Sequence, residues 1–260
     1  MACKAVSREF LKNGHTKTFT FKSTMAKKIL MPNPWLTITP IPHVAQCDEQ
    51  YFIRKYGSVS DYESWINSTY PASVLTFSCL PEPFSGSPNS KVFCLNKNPG
   101  KPDSCFVGEP TFEAATKNNL QLLSPNCFWA EKFPNKCGKL HDGVKWLAMR
   151  TNTLEKMLGR HPDLFFIEYF PYHSKQGFPF PKDLPSYKFS NMLIEQAIRQ
   201  NKLIIIMREK KNWLTRIPGL LKYGNLVYLK CAQGGYITPQ NLIWAKNGKS
   251  LTNKDIQTYF

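Results

Sequence analysis

No two cysteines of this chain stand in a Cys-x-x-Cys spacing, no apolar run is long, and acidic residues are few for the number of basic ones. Each shortage excludes something. Structural zinc and iron–sulfur sites need clustered ligands, so eight scattered cysteines (3, 47, 79, 94, 105, 127, 137 and 231) point to reduced thiols in a cytosolic protein. His141 lies four residues after Cys137, a spacing a metal site could use, but it reads better as a surface-loop residue. A membrane helix needs about 18 or more consecutive apolar residues and a secretory signal needs an apolar core, and the absence of both leads us to expect a cytoplasmic protein with no membrane partner. The shortage of acids, 18 Asp and Glu against 34 Lys and Arg, leaves a net charge of +16. Such an excess attracts polyanions by steering and counterion release, which makes nucleic acid the expected partner.

A chain of 260 residues is long enough to bury a sizeable core. Residues 1–28 are basic and rich in Ser and Thr, and read as a flexible arm ahead of a single domain over 29–260. Pro32, Pro34, Pro40 and Pro42 forbid a helix interior there, so this stretch is extended chain, anchored by Trp35. Residues 48–56 carry acids first and bases last, with Gly57 as the stop, and are a helix; 60–65 is a shorter one. Residues 81–89 are too punctuated by Pro, Gly and Ser for a regular element. Helices are expected over 109–124, 143–158 and 190–200, the last with Ser190 as its N-cap, and another opens after residue 208.

Between these helices lie four short apolar runs, at 91–95, 164–167, 202–207 and 227–229. Apolar strands separated by helices predict a parallel sheet covered on both faces, a three-layer α/β/α sandwich around a mostly parallel four-stranded sheet. Their carboxyl ends then share one rim, where open α/β sheets bind ligands. The rim carries Asn98-Pro99-Gly100, then Glu168 with Tyr172 and His173, then Arg208, then a Gly-Gly-Tyr-Ile-Thr-Pro loop starting at Gly234.

A strand ending in Asn-Pro-Gly, a later strand ending in a polar residue, an apolar strand and a final Gly- and Pro-containing loop resemble the uracil-DNA glycosylase superfamily, over roughly residues 70–245. The resemblance implies that Asn98 activates water, that Pro99 and Gly100 form its turn, that Glu168 stands where the family reads the base, and that the loop from Gly234 to Asn241 presses on DNA. Uracil-specific branches carry His-Pro-Ser-Pro in the last motif, which is missing here.

Base excision needs an extruded base, an aromatic face, edge hydrogen bonds and a water aimed at the sugar's anomeric carbon. Asn98 orients that water, and Phe106, Glu168, Tyr172 and His173 are the candidate base-binding residues. Lys97, Lys101, Lys175, Arg208, Gly234, Gly235, Tyr236, Thr238 and Asn241 are the candidate DNA contacts. The expected protein is a monomeric, cofactor-free and metal-free DNA glycosylase. An ionised Glu168 accepts only, which favours an amino-bearing base and so a modified, bulky cytosine. The alternatives are a uracil-removing repair enzyme, a catalytically inactive nucleic-acid-binding module of the same fold, and a metal-dependent hydrolase using Glu168 and Asp103.

Overall fold

The four apolar runs become the parallel heart of a larger sheet. The computed structural model describes residues 31–101, 104–125, 127, 133, 138 and 140–260, and the arm expected at 1–28 lies outside them. In chain order the helices and strands are α1 (Gln46–Tyr56), α2 (Val59–Thr69), β1 (Phe84–Ser85), β2 (Val92–Leu95), α3 (Pro110–Leu120), α4 (Asp142–Leu158), β3 (Leu164–Ile167), α5 (Tyr187–Arg199), β4 (Leu203–Ile206), α6 (Lys210–Arg216), β5 (Leu226–Leu229), β6 (Leu242–Trp244) and α7 (Asn253–Tyr259).

The sheet runs β1-β3-β2-β4-β5-β6. Strands β3, β2, β4 and β5 are parallel, while β1 on β3 and β6 on β5 are antiparallel. The expected four-stranded sheet is therefore corrected to a six-stranded mixed one. Its two edge strands are too short, at 2 and 3 residues, to leave an alternating pattern in the sequence. One of them, β1, lies inside the Pro-rich stretch expected to have no regular element.

Every residue of β2, β3 and β4 is buried, as strands covered on both faces require. Alternate residues feed opposite layers. Phe93, Leu95, Phe165, Ile167, Ile204 and Ile206 pack under α1, α2, α5 and α6. Val92, Cys94, Leu164, Phe166, Leu203 and Ile205 pack under α4 and α7. Each fully buried phenylalanine here contributes about 1.5–3 kcal/mol by leaving water.

Local signals place some of the helix ends. Helix α1 stops at Gly57, whose φ of 90° suits glycine, and α2 starts where Ser58 Oγ accepts from Asp61 N at 2.9 Å. Ser190 is not an N-cap: α5 begins three residues earlier, and Ser190 is buried within it. His141 is not a plain surface-loop residue either, because its Nδ1 accepts from Gly143 N at 3.1 Å and caps α4. Among the described cysteines, Cys47, Cys79, Cys94 and Cys231 are free, but Cys105 is in a disulfide, which corrects the expectation of reduced thiols throughout. No helix among the described residues is long and apolar enough to cross a membrane.

From β2 the chain steps to β3 on one side, and from β3 it returns across β2 to β4 on the other. The loops leaving β2 and β4 diverge at that reversal and open a crevice at the carboxyl edge.

Candidate active site

The loops that follow β2 and β3 keep running side by side after the strands end. Asn96 N donates to Ile167 O at 2.8 Å, Phe170 N to Lys97 O at 2.9 Å and Ser174 N to Pro99 O at 3.3 Å. Thr76 N, bonded to His173 O at 3.0 Å, ties the second loop to a third segment. Polar side chains are thus carried on braced backbone at the mouth of the sheet, around a cavity of about 530 Å³. Asn96, Asn98, Phe106, Glu168, His173 and Arg208 all line it.

Glu168 is 2% exposed. Its Oε1 accepts from Asn96 Nδ2 at 2.9 Å, and Asn96 is itself held by Trp213 Nε1 on its backbone oxygen at 2.8 Å. Its Oε2 is buried without a hydrogen-bond partner. Burial, with Glu82 nearby, raises its pKa to about 8 although Asn96 and His173 pull the other way. The expectation of an ionised Glu168 is therefore corrected: at neutral pH it is mostly a neutral acid, able to donate as well as accept.

His173 carries a positive charge, facing Glu82. Its Nδ1 faces Gly100 O at 2.9 Å and its Nε2 faces Leu80 O at 3.1 Å, with Glu82 Oε1 at 3.6 Å. Two carbonyl oxygens need two N–H donors, so the ring is an imidazolium. Burial opposes that charge, but the Cys79 thiol, Glu82 and the Gly100 carbonyl outweigh it and raise the pKa to about 10. With both nitrogens committed to backbone, His173 contributes a fixed positive charge to the cavity wall and no hydrogen bond to a base.

Asn98 Nδ2 lies 2.6 Å from Pro99 O and 2.9 Å from both Ser174 O and Ser174 Oγ. The amide end is pinned, and no described group donates to the carbonyl end. Phe106, 1% exposed, is braced by His141 edge-on at 4.9 Å and by Phe112 at 5.5 Å. Tyr172, the neighbour of His173, points the other way into the core: its hydroxyl donates to Asp48 Oδ2 at 2.7 Å and accepts from Ala45 N at 3.2 Å. It does not line the cavity, which removes it from the base-binding set. Alternation along an extended segment explains why only one of the pair can face the site.

Lys97, Lys101 and Lys175 line the cavity, although Lys97 is engaged by Glu209 at 3.3 Å. The 234–241 loop does not line it. Asn241 is a stitch inside that loop, donating to Tyr236 O at 2.7 Å and accepting from Cys231 N at 2.7 Å. Thr238 likewise accepts from Asn241 N within the loop at 3.3 Å. Gly234 is half-buried, Gly235 is buried and Tyr236 is exposed, beside the cavity's Arg208 through Arg208 Nη2 on Gln233 O at 2.9 Å.

Sequence reasoning missed Asn96, Glu82 and Trp146, all of which line the cavity. Asn96 had a signal, being the first polar residue after β2. Glu82 had none, lying between two prolines. Among the described residues no group of three His, Cys, Asp or Glu is arranged to hold a metal ion, and Asp103 lies outside those residues. Neither family models nor curated proteins nor solved structures match this chain.

Proposed function

We propose that the chain is a DNA glycosylase that admits one extruded, non-standard base into this cavity and hydrolyses its bond to the sugar. The observation that carries the reading is the pairing of two incomplete side chains in one chamber: an Asn98 carbonyl with no donor among the described residues and a buried Glu168 oxygen with no partner among them. A buried polar atom without a partner costs about 1–3 kcal/mol, and a ligand that satisfies it recovers that cost. Asn98 cannot ionise; its pinned amide aims the carbonyl oxygen, which accepts from a water and directs its lone pair at the anomeric carbon. The water's oxygen bonds to that carbon, the carbon–nitrogen bond breaks, the base leaves with the electron pair, and the water's proton is released. Glu168, as a neutral acid, donates to the departing base, and the fixed charge of His173 lowers the energy of negative charge developing there.

The cavity falls in the roughly 300–1,000 Å³ range of small-ligand sites, and an unsubstituted pyrimidine fills only a fraction of it. A bulky modified cytosine suits that room, with its ring nitrogen accepting from Glu168 and its amine donating back. The neutral carboxyl also admits a 4-oxo base, and this favours the second reading, a uracil-removing enzyme.

Matched duplexes carrying uracil, cytosine, hydroxymethylcytosine and glycosylated hydroxymethylcytosine decide between them, scored as alkali-labile abasic sites. A substituted cytosine should be released and plain cytosine should not. Uracil released fastest would make this a uracil-removing enzyme, and DNA bound tightly with no base released would make it a binding module. Asn98→Ala should cut excision at least about 10²-fold with DNA affinity nearly unchanged; normal turnover in this variant would remove Asn98 from the chemistry.

A further inference from the structure

Beside the cavity, outside the residues given a catalytic or base-binding role, two arginines are tied to one short loop, and among the described residues neither has an acid as partner. Arg150 projects from α4, and its guanidinium lies 5.1 Å from the ring centre of Trp146 and 5.8 Å from that of Tyr236. Arg208 follows β4, and its Nη2 donates to Gln233 O. The loop at 233–237 brings the two together: Ile237 N donates to Arg150 O at 2.9 Å, so one short segment is tied to both. Gly235 makes the approach possible. Its φ is +64°, and a Cβ there would stand 2.6 Å from Arg150 Nε.

Among the described residues no carboxylate pairs with either arginine. Burial and the charge of Arg208 both lower the pKa of Arg150, so the two cations sense one another at partly buried positions. Like charges in such proximity repel unless an anion lies between them. A guanidinium stacked on aromatic rings keeps its planar fork of donors free at the edge, which is the geometry that takes a phosphate bidentately. Trp146 and Arg208 also line the cavity, so an anion held here sits at its margin.

We propose that Arg150 and Arg208 form a phosphate-binding site that holds the phosphodiester of a nucleic-acid strand next to the nucleotide whose base enters the cavity. The phosphate chemistry stands independently of base excision; the strand as its source rests on the nucleic-acid reading. Tyr236, exposed beside Arg150, offers an aromatic face to a neighbouring base of the same strand.

The test is fluorescence anisotropy of a labelled oligonucleotide against increasing KCl, with wild type, Arg150→Gln, Arg208→Gln, Arg150→Lys and the double Gln variant. Each Gln substitution should weaken binding about tenfold or more and flatten the salt dependence by about one phosphate's worth. The double variant should lose little beyond the weaker single, because both cations hold one phosphate. Arg150→Lys should keep the salt slope and lose part of the affinity. Wild-type affinity and slope in both Gln variants would overturn the site. Thermal melts with inorganic phosphate separate the two sources. Wild type stabilised by phosphate and the Gln variants not, with no oligonucleotide bound, would keep the phosphate site and sink the nucleic-acid reading. No response to either anion in wild type would overturn both.

Discussion

Asp48 and Glu168 are both buried acids, exposed by 0% and 2%. Around Asp48 every oxygen is answered: Oδ1 accepts from Ser186 N at 2.9 Å, and Oδ2 accepts from Ser186 Oγ at 2.6 Å and Tyr172 Oη at 2.7 Å. Around Glu168 one oxygen is answered by Asn96 and the other by nothing. Burial raises the pKa of both. The difference lies in what the chain supplies. Asp48 joins α1 to the start of α5 and to the loop after β3, so its partners are the fold itself. Glu168 stands at the end of β3 facing a chamber, so its second partner must come from outside. A buried acid marks a site only when the surrounding chain leaves it incomplete.

The largest expected effect is on the complete side. Asp48→Ala strands the Ser186 amide and hydroxyl and leaves the Tyr172 hydroxyl only its bond from Ala45 N, so that at roughly 1–3 kcal/mol for each stranded group the loss of stability is about 3 kcal/mol or more. Denaturant midpoints measure it, and excision per folded molecule should stay at the wild-type level. A loss under about 1 kcal/mol would mean that the cluster rearranges and that Asp48 is not the tie described here.

Next in size is Tyr172→Phe. Its ring keeps its packing against Phe77 at 4.9 Å and Phe170 at 5.4 Å, while the bonds to Asp48 and Ala45 go, at a cost of about 1–2 kcal/mol. Because Tyr172 turns its hydroxyl into the core, base excision should not change. Reduced excision with unaltered stability would return Tyr172 to the site.

The contrast also explains what could be read in the sequence. The four parallel strands were legible because burial on both faces leaves continuous apolar runs, and the shared rim followed from parallel pairing. Edge strands β1 and β6 were not, since a pattern of period two cannot show itself in two or three residues. Asn98, Glu168 and His173 were placed at strand exits, where the structure also has them. Tyr172 and His173 could not be separated, because which of two neighbours faces the cavity depends on a half-turn of backbone. The charge of Glu168 is not legible for a related reason: its neutrality comes first from burial that only the assembled sheet provides, and then from Glu82, remote in sequence. Arg150 lies in a helix whose apolar spacing announced packing and gave no sign of Arg208 beside it.

The smallest effect at neutral pH is expected from Glu168→Gln, which keeps the shape and the ability to donate and should alter stability by less than about 1 kcal/mol. Its signature is the dependence on pH. Glu168 holds its proton in the folded state up to about 8 but loses it from about 4.5 when unfolded, so between those values the folded form binds more protons and stability falls as pH rises. His173, raised from 6.5 to about 10, acts in the same direction in a later window, with its contribution complete below 6.5 and lost as pH climbs through 10. Each group contributes at most about 1.4 kcal/mol per pH unit inside its window. Glu168→Gln should therefore lessen the decline between about pH 5 and 6.5, where His173 is charged in both states and Asp48, also raised by burial, still contributes, and should lessen it again up to about 8 while leaving the decline above that to His173. Chemical denaturation across that range reads the slopes directly. An unchanged slope below pH 6.5 in the variant would show that the cavity floor holds an ionised carboxylate, and the donor assigned to Glu168 in base release would go with it.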